Sequence, residues 1–241
     1  MAIYGYSERG IINSIIFSIG DKVQLMTDFI RSLNIPMLFV NNTPIGYDIL
    51  LEQSFSRFGS ADLVIIIKYD EEPKLNKVLF IEGKVKTSQK TYWNLKSQYE
   101  EFEKRKPENS SNLFFQLHLK KLLFSNATEI DNALKAKKEL VISEKWYKTE
   151  RKIGKNAIVE KAFNMITCSE AFYIGIIPSS IDDIEKFSKV KKDEKDPIVE
   201  YIHLVSWHTV KGFCDEKKYK RYFKNVQLNF EYNEGQIFNE K

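Results

Sequence analysis

The chain has 241 residues, 43% of them hydrophobic and 13% aromatic, enough apolar material for a sizeable core in one domain. Charged residues make up 29% and the net charge is +4, so the bulk charge says little and its distribution says more. Cys168 and Cys214, the two cysteines, make neither a metal motif nor a disulfide framework; both are expected as small buried or half-buried residues in a reducing cytosol.

The opening MAIYGYSERG lacks a basic region followed by an apolar core, which predicts no secretory leader. Ile11, Ile12, Ile15, Ile16 and Ile19 recur at helical spacing and predict a helix over 8–19, stopped by Gly20. A second helix is expected from Lys22 to Leu33, before Pro36. Residues 46–55 fit either regular element, with strand favoured. Ala61 to Tyr69 is β-branched and short, and Val78 to Lys86 opens on the apolar run Val78-Leu79-Phe80-Ile81; both predict strands. The polar turn between them makes them antiparallel neighbours.

A long helix is expected over 92–104, with Leu95, Tyr99 and Phe102 on one face, and another over 112–124. Residues 126–156 are polar and lysine-rich, with helical propensity and a weak core face, and form a possible basic accessory subregion. Ala157 to Cys168 is expected as a helix, Phe172 to Ile177 as a strand, Ile198 to Val210 as a last strand or strand pair, and the tail from Phe230 onward as loose. No apolar run approaches the roughly 20 residues of a membrane span. A cytoplasmic protein with no membrane contact is expected, and the order of elements predicts an α/β fold.

The strand ending Phe80-Ile81-Glu82-Gly83-Lys84-Val85-Lys86 places a carboxylate and two ammonium groups on one face beside a core, since strand side chains alternate. Such charges cost several kcal/mol each without compensation. The spelling Glu-x-Lys occurs four times, at 72–74, 82–84, 150–152 and 216–218, but only Glu82-Gly83-Lys84 ends an apolar strand. Antiparallel pairing brings Asp62, at the start of the preceding strand, close to Glu82 and Lys84. Two carboxylates held together repel. A divalent cation relieves that repulsion, and Gly83 offers it an unobstructed carbonyl. Glu8 lies at the outer end of the isoleucine stripe, either as a third site carboxylate or as a complement to the helix dipole. The alternative for the whole set is a salt-bridge network at a sheet end.

On Ser7-Glu8-Arg9-Gly10, Gly59-Ser60-Ala61-Asp62 and Glu82-Gly83-Lys84, the chain resembles the PD-(D/E)XK nuclease superfamily, with Ala61 standing where the family name has proline. The order helix, antiparallel strands, long helix and later strands extends the resemblance over most of the chain. It implies a restriction endonuclease-like three-layer α/β fold with a central mixed sheet flanked by helices, as a single domain over residues 1–241. It also implies magnesium-dependent hydrolysis of phosphodiester bonds, with manganese as a substitute. Asp62 and Glu82 would bind the metal, with the Gly83 carbonyl. Glu8 would bind through water or hold a second metal, and Lys84 would position or deprotonate the attacking water or stabilise charge on the phosphate.

Basic residues interleave with aromatics around Lys145-Trp146-Tyr147-Lys148, with Arg151, Lys152 and Lys155, and again from Lys217 to Lys224, including Lys220 and Arg221. Either these contact a nucleic-acid backbone, or they form solvated faces whose aromatics turn to the core. Lys90 and Lys96 are placed to meet a backbone as well. Lys86 backs up Lys84 or is a solvated strand-end lysine, and Gln98 assists the site or faces solvent. The scattered histidines, His118, His203 and His208, make no ligand set, and no phosphate-binding Gly-rich motif is present. The expected activity is a DNA endonuclease of restriction type, a homodimer on double-stranded DNA with a companion DNA methyltransferase as a further partner. The alternatives are a repair, recombination or exonuclease-type enzyme with the same site, and a non-catalytic DNA-binding protein retaining the fold.

Overall fold

A computed structural model describes residues 2–36, 38–39, 43–69, 75–87, 92–104, 111–136, 138, 141–143, 150–152 and 156–239. The chain is α/β, with a five-stranded mixed sheet flanked by helices. The strands are β1 (Gly46–Ser54), β2 (Ser60–Lys68), β3 (Lys77–Gly83), β6 (Glu170–Ile177) and β7 (Ile202–Ser206), in the order β1-β2-β3-β6-β7. The short strands β4 (Val141–Ser143) and β5 (Glu150–Lys152) make a separate antiparallel pair. Two compact units alternate along the chain. One comprises 1–46, 83–95 and 174–241; the other comprises 47–82 and 96–173.

The second unit carries the apolar strand pair. β2 and β3 are antiparallel, with Leu63 opposite Ile81, Ile65 opposite Leu79 and Ile67 opposite Lys77. Both faces of β2 are buried from Ala61 to Ile67, which is why it reads as a continuous apolar run rather than an alternating one. The helices α3 (Leu95–Glu103) and α4 (Leu113–Ser125) follow. Tyr99 and Phe102 pack on Phe114. Asn112 caps α4 by accepting from the Phe115 amide. Gln98 of α3 ties this junction, its Oε1 accepting from Leu113 N and its carbonyl from Asn112 Nδ2; it is thus engaged in packing two helices. In the expected helical stretch 126–156, only α5 (Ala127–Lys135) is helical among the described residues, and β4 and β5 follow it. A further helix, α6 (Ala157–Met165), matches the expected one.

The first unit is built on α1 (Ser7–Ile19), whose five isoleucines are all buried, as their spacing predicts. It also contains α2 (Val23–Ser32), α7 (Ile181–Asp193), α8 (Ile198–Tyr201), α9 (Trp207–Asp215) and α10 (Lys224–Ile237). The stretch expected as one strand or a strand pair, 198–210, is instead helix, strand and helix. It breaks at Ser206, whose hydroxyl caps α9 by accepting from His208 N and donates to Ser179 O. The tail expected to be loose is α10, with Val226, Phe230 and Ile237 buried.

Asn229 and Asn233, 1% and 2% exposed, line that same buried stripe and hold the N-terminal segment. Asn229 Nδ2 donates to Ile3 O, and its Oδ1 accepts from Gly5 N. Asn233 Nδ2 donates to Gly5 O at 2.9 Å, and its Oδ1 accepts from Ser7 N at 2.8 Å. Two buried side-chain amides thus satisfy main-chain groups that would otherwise be desolvated without partners. They also hold Ser7 in the left-handed region, at φ +62°, a conformation that costs a non-glycine residue about 1 kcal/mol or more. Asn233→Ala is expected to lower unfolding free energy by about 2 kcal/mol, well above the few tenths that alanine regains in helix propensity. An unchanged urea midpoint would contradict this account of the tail.

Candidate active site

Continuing the β2–β3 register by one pair sets Asp62 directly opposite Glu82. Opposed residues of an antiparallel pair project to the same face, with Cβ atoms about 5 Å apart. Both side chains therefore leave the same face of the pair, past the end of the apolar rows Val64, Ile66 and Val78, Phe80. Asp62 is 6% exposed and Glu82 1%.

Glu82 has a cationic neighbour that the sequence reading missed. Lys120 of α4 is 0% exposed, and its Nζ lies 3.7 Å from Glu82 Oε1. The same ammonium donates to Phe58 O at 2.9 Å, in the 3-10 turn Ser56–Phe58 that leads into β2. Gly59 follows that turn at φ +77°, and a Cβ there would lie 3.3 Å from Lys120 Nζ. Glycine is thus favoured at this position by its backbone conformation, and the ammonium lies close to it. The signal for Lys120 was present in LFFQLHLKKLLFS: it sits three residues after Leu117 and three before Leu123, inside the apolar stripe.

Glu8, Gly83, Lys84 and Lys86 belong to the first unit. Glu8, half-buried in the first turn of α1, packs on buried Gly83; a Cβ at 83 would lie 2.7 Å from Glu8 Cβ. Gly83 is therefore a contact surface for Glu8, a steric role in addition to the carbonyl foreseen for it. Strand β3 ends at Gly83, three residues earlier than expected. Beyond it, Lys84 N donates to Ile176 O at 2.8 Å, and Lys84 O accepts from Trp207 Nε1 at 2.8 Å. Lys84 is thus anchored through its main chain, and its side chain is half-buried. Lys86 is 5% exposed and its amide donates to Gln236 O, so it is no solvated strand-end lysine.

Of the expected nucleic-acid contacts, Lys96 is exposed and faces Glu100 at 3.7 Å. Lys220 and Arg221 are exposed, while Tyr219 before them and Phe223 after them turn inward. Tyr219 donates to Asp28 at 2.6 Å. The lysine-rich stretch is thus a solvated basic face whose Tyr219 and Phe223 turn to the core. Arg151 and Lys152 lie on β5, opposite Ile142 and Val141; Lys90, Lys148 and Lys155 lie outside the described residues. The Glu216–Lys218 pair is an exposed surface contact at 3.4 Å, as its polar context predicts.

Other chemistries find less support. Burial pushes the Cys168 thiol up to about 12 and raises Cys214 further, with Asp215 adding to the second. Neither is poised as a thiolate nucleophile. Burial lowers the pKa of His203, which lines a cavity of about 610 Å³ with Asn34, Lys192, Lys195, Asp196 and Glu200. That cavity contains none of the candidate residues and balances two ammonium groups against two carboxylates.

Among the described residues, no group of three or more His, Cys, Asp or Glu side chains is placed to hold a metal ion together. A divalent cation here would rest on the Asp62–Glu82 pair, completed by a carbonyl and water. That donor set fits magnesium, which takes few carboxylates and keeps several waters. Comparison with protein-family models, curated proteins and solved structures finds no match. No helix among the described residues is long and apolar enough to cross a membrane.

Gly83→Ala is expected to destabilise the protein by about 2 kcal/mol through overpacking. The variant Gly83→Ala/Glu8→Gly, which removes the clashing atom, should recover part of the lost melting temperature; equal melting of wild type and Gly83→Ala would contradict the contact. Both cysteines should react with iodoacetamide at pH 8 far more slowly in the native protein than in urea, because a raised pKa withholds the thiolate until higher pH. Similar rates in the two states would contradict their burial.

Proposed function

We propose that this chain is a metal-dependent DNA endonuclease of restriction endonuclease-like architecture. The observation that supports it best is the opposition of two buried carboxylates, Asp62 and Glu82, at the end of an apolar antiparallel pair whose chain continues into Lys84. A buried lysine, Lys120, already lies beside Glu82; a divalent cation shared between the two acids would offset their mutual repulsion further.

In this reading Asp62 and Glu82 hold magnesium, or manganese in its place, with the Gly83 carbonyl. When bound, the ion supplies an acidified water and offsets negative charge on the phosphoryl oxygens. Lys84, fixed through both its main-chain groups, directs its ammonium to the scissile phosphate, where it orients the attacking water or stabilises developing charge. Glu8 acts through water, its place set by its packing on Gly83. Exposed Lys96, Lys220 and Arg221 contact the phosphate backbone of double-stranded DNA and make binding salt-dependent. Cutting both strands requires two such sites, which a homodimer supplies.

The test is incubation of the purified protein with several unmethylated phage DNAs and supercoiled plasmid, with magnesium, with manganese and with chelator. Discrete metal-dependent fragments are expected. Asp62→Asn and Lys84→Ala should each lower cleavage by at least about 100-fold while leaving folding and most DNA affinity in place. A metal-dependent smear would favour an exonucleolytic enzyme. Binding without cleavage under all conditions, or full activity of either variant, would overturn the assignment.

A further inference from the structure

Glu82 is the more enclosed of the two opposed carboxylates, at 1% exposure, and Lys120 is fully enclosed at 0%. An ammonium in a protein interior costs several kcal/mol in lost hydration unless it is paired and hydrogen-bonded. The geometry shows how Lys120 is held. Its directional bond goes to Phe58 O, at 2.9 Å. Its distance to Glu82 Oε1, 3.7 Å, is beyond hydrogen-bonding reach but well within strong Coulombic range in a poorly hydrated site. The ammonium is thus anchored by the turn that precedes β2, and it acts on the carboxylate of β3 through its charge.

We propose that Lys120 is the resident counter-cation of Glu82. It lets two acids stand opposed in the folded protein when no divalent ion is bound, and it opposes any divalent ion that Glu82 receives. Because Lys120 has no exposed surface, it does not reach substrate; it is a positioning residue acting through Glu82. One ammonium connects three parts of the second unit. Helix α4 carries it, the Ser56–Phe58 turn binds it, and Glu82 is balanced by it. Helix α4 packs directly on that turn, and Gly59 leaves the room for the ammonium. The second half of the proposal, opposition to a divalent ion, rests on the metal-dependent reading above; the first half does not.

The experiment compares wild type, Lys120→Met, Glu82→Gln and Lys120→Met/Glu82→Gln, first by thermal denaturation in chelator. Lys120→Met should lose several degrees of melting temperature, because the buried Glu82 carboxylate loses its cationic neighbour. The double variant should melt above Lys120→Met, because both charges are then gone. If Lys120→Met alone does not fold, recovery of folding in the double variant gives the same answer. Additive losses would overturn the pairing. Calorimetric titration with Mn²⁺ alone then reads the second half. Lys120→Met should bind Mn²⁺ about tenfold more tightly than wild type, as removal of a like charge requires, and Glu82→Gln should bind it more weakly. Equal affinity of wild type and Lys120→Met would overturn the opposition. Absence of Mn²⁺ binding in all four proteins would overturn both the opposition and the metal-dependent reading, while the melting data still decide the pairing.

Discussion

The structure depends on one electrostatic constraint: Asp62 and Glu82 face each other across two strands that carry almost no water. If their charges stand as far apart as opposed Cβ atoms, about 5 Å, they repel by about 3 kcal/mol at an effective dielectric of about 20. Loss of hydration adds to this. Neither residue is a surface group, since both are buried and follow a register of five pairs, four of them wholly apolar. A one-residue slip would turn the whole apolar set inside out. Hydrophobic register therefore holds the acids together, and something positive must balance them. Lys120 supplies one charge from within the fold.

The first unit solves a different problem, the placement of a helix start. Glu8 lies one residue after Ser7, whose left-handed backbone is held by Asn233. The partners are 226 positions apart in sequence, so the setting of the first helix depends on the last one. The close approach of Gly5 to Gly10, where a Cβ on either would meet the other's backbone below 3 Å, completes the entry to α1. Glu8 is in consequence a residue of defined backbone position in the first turn of α1.

These arrangements were unevenly legible. The isoleucine stripe of α1 and the β-branched run of β2 were readable because a single periodicity dominates each, and the turn between β2 and β3 made their antiparallel pairing readable too. From that pairing the approach of Asp62 to Glu82 follows. The tail was misread because its buried stripe contains Asn229 and Asn233, and buried asparagines look like solvent-facing ones until their main-chain partners are known. The break at Ser206 was hidden in a β-branched run, although a serine before Trp207-His208-Thr209 is an ordinary cap signal. Lys120 was overlooked although Glu8 was noticed. Each lies on an apolar helical stripe, but Lys120 is one of two adjacent lysines, and a lysine pair suggests solvent. Lys86 was expected at the surface because its strand was extended too far; the chain leaves β3 at Gly83 and meets the end of α10.

The central claim is that the Asp62–Glu82 pair is a cation site. The most direct measurement is anomalous diffraction from crystals of the protein grown with Mn²⁺. The account predicts an anomalous peak about 2.1 Å from one oxygen of Asp62 and one of Glu82. A structure in which those side chains lie more than about 10 Å apart, far outside any shared coordination sphere, or in which Mn²⁺ binds elsewhere and leaves both untouched, would contradict it.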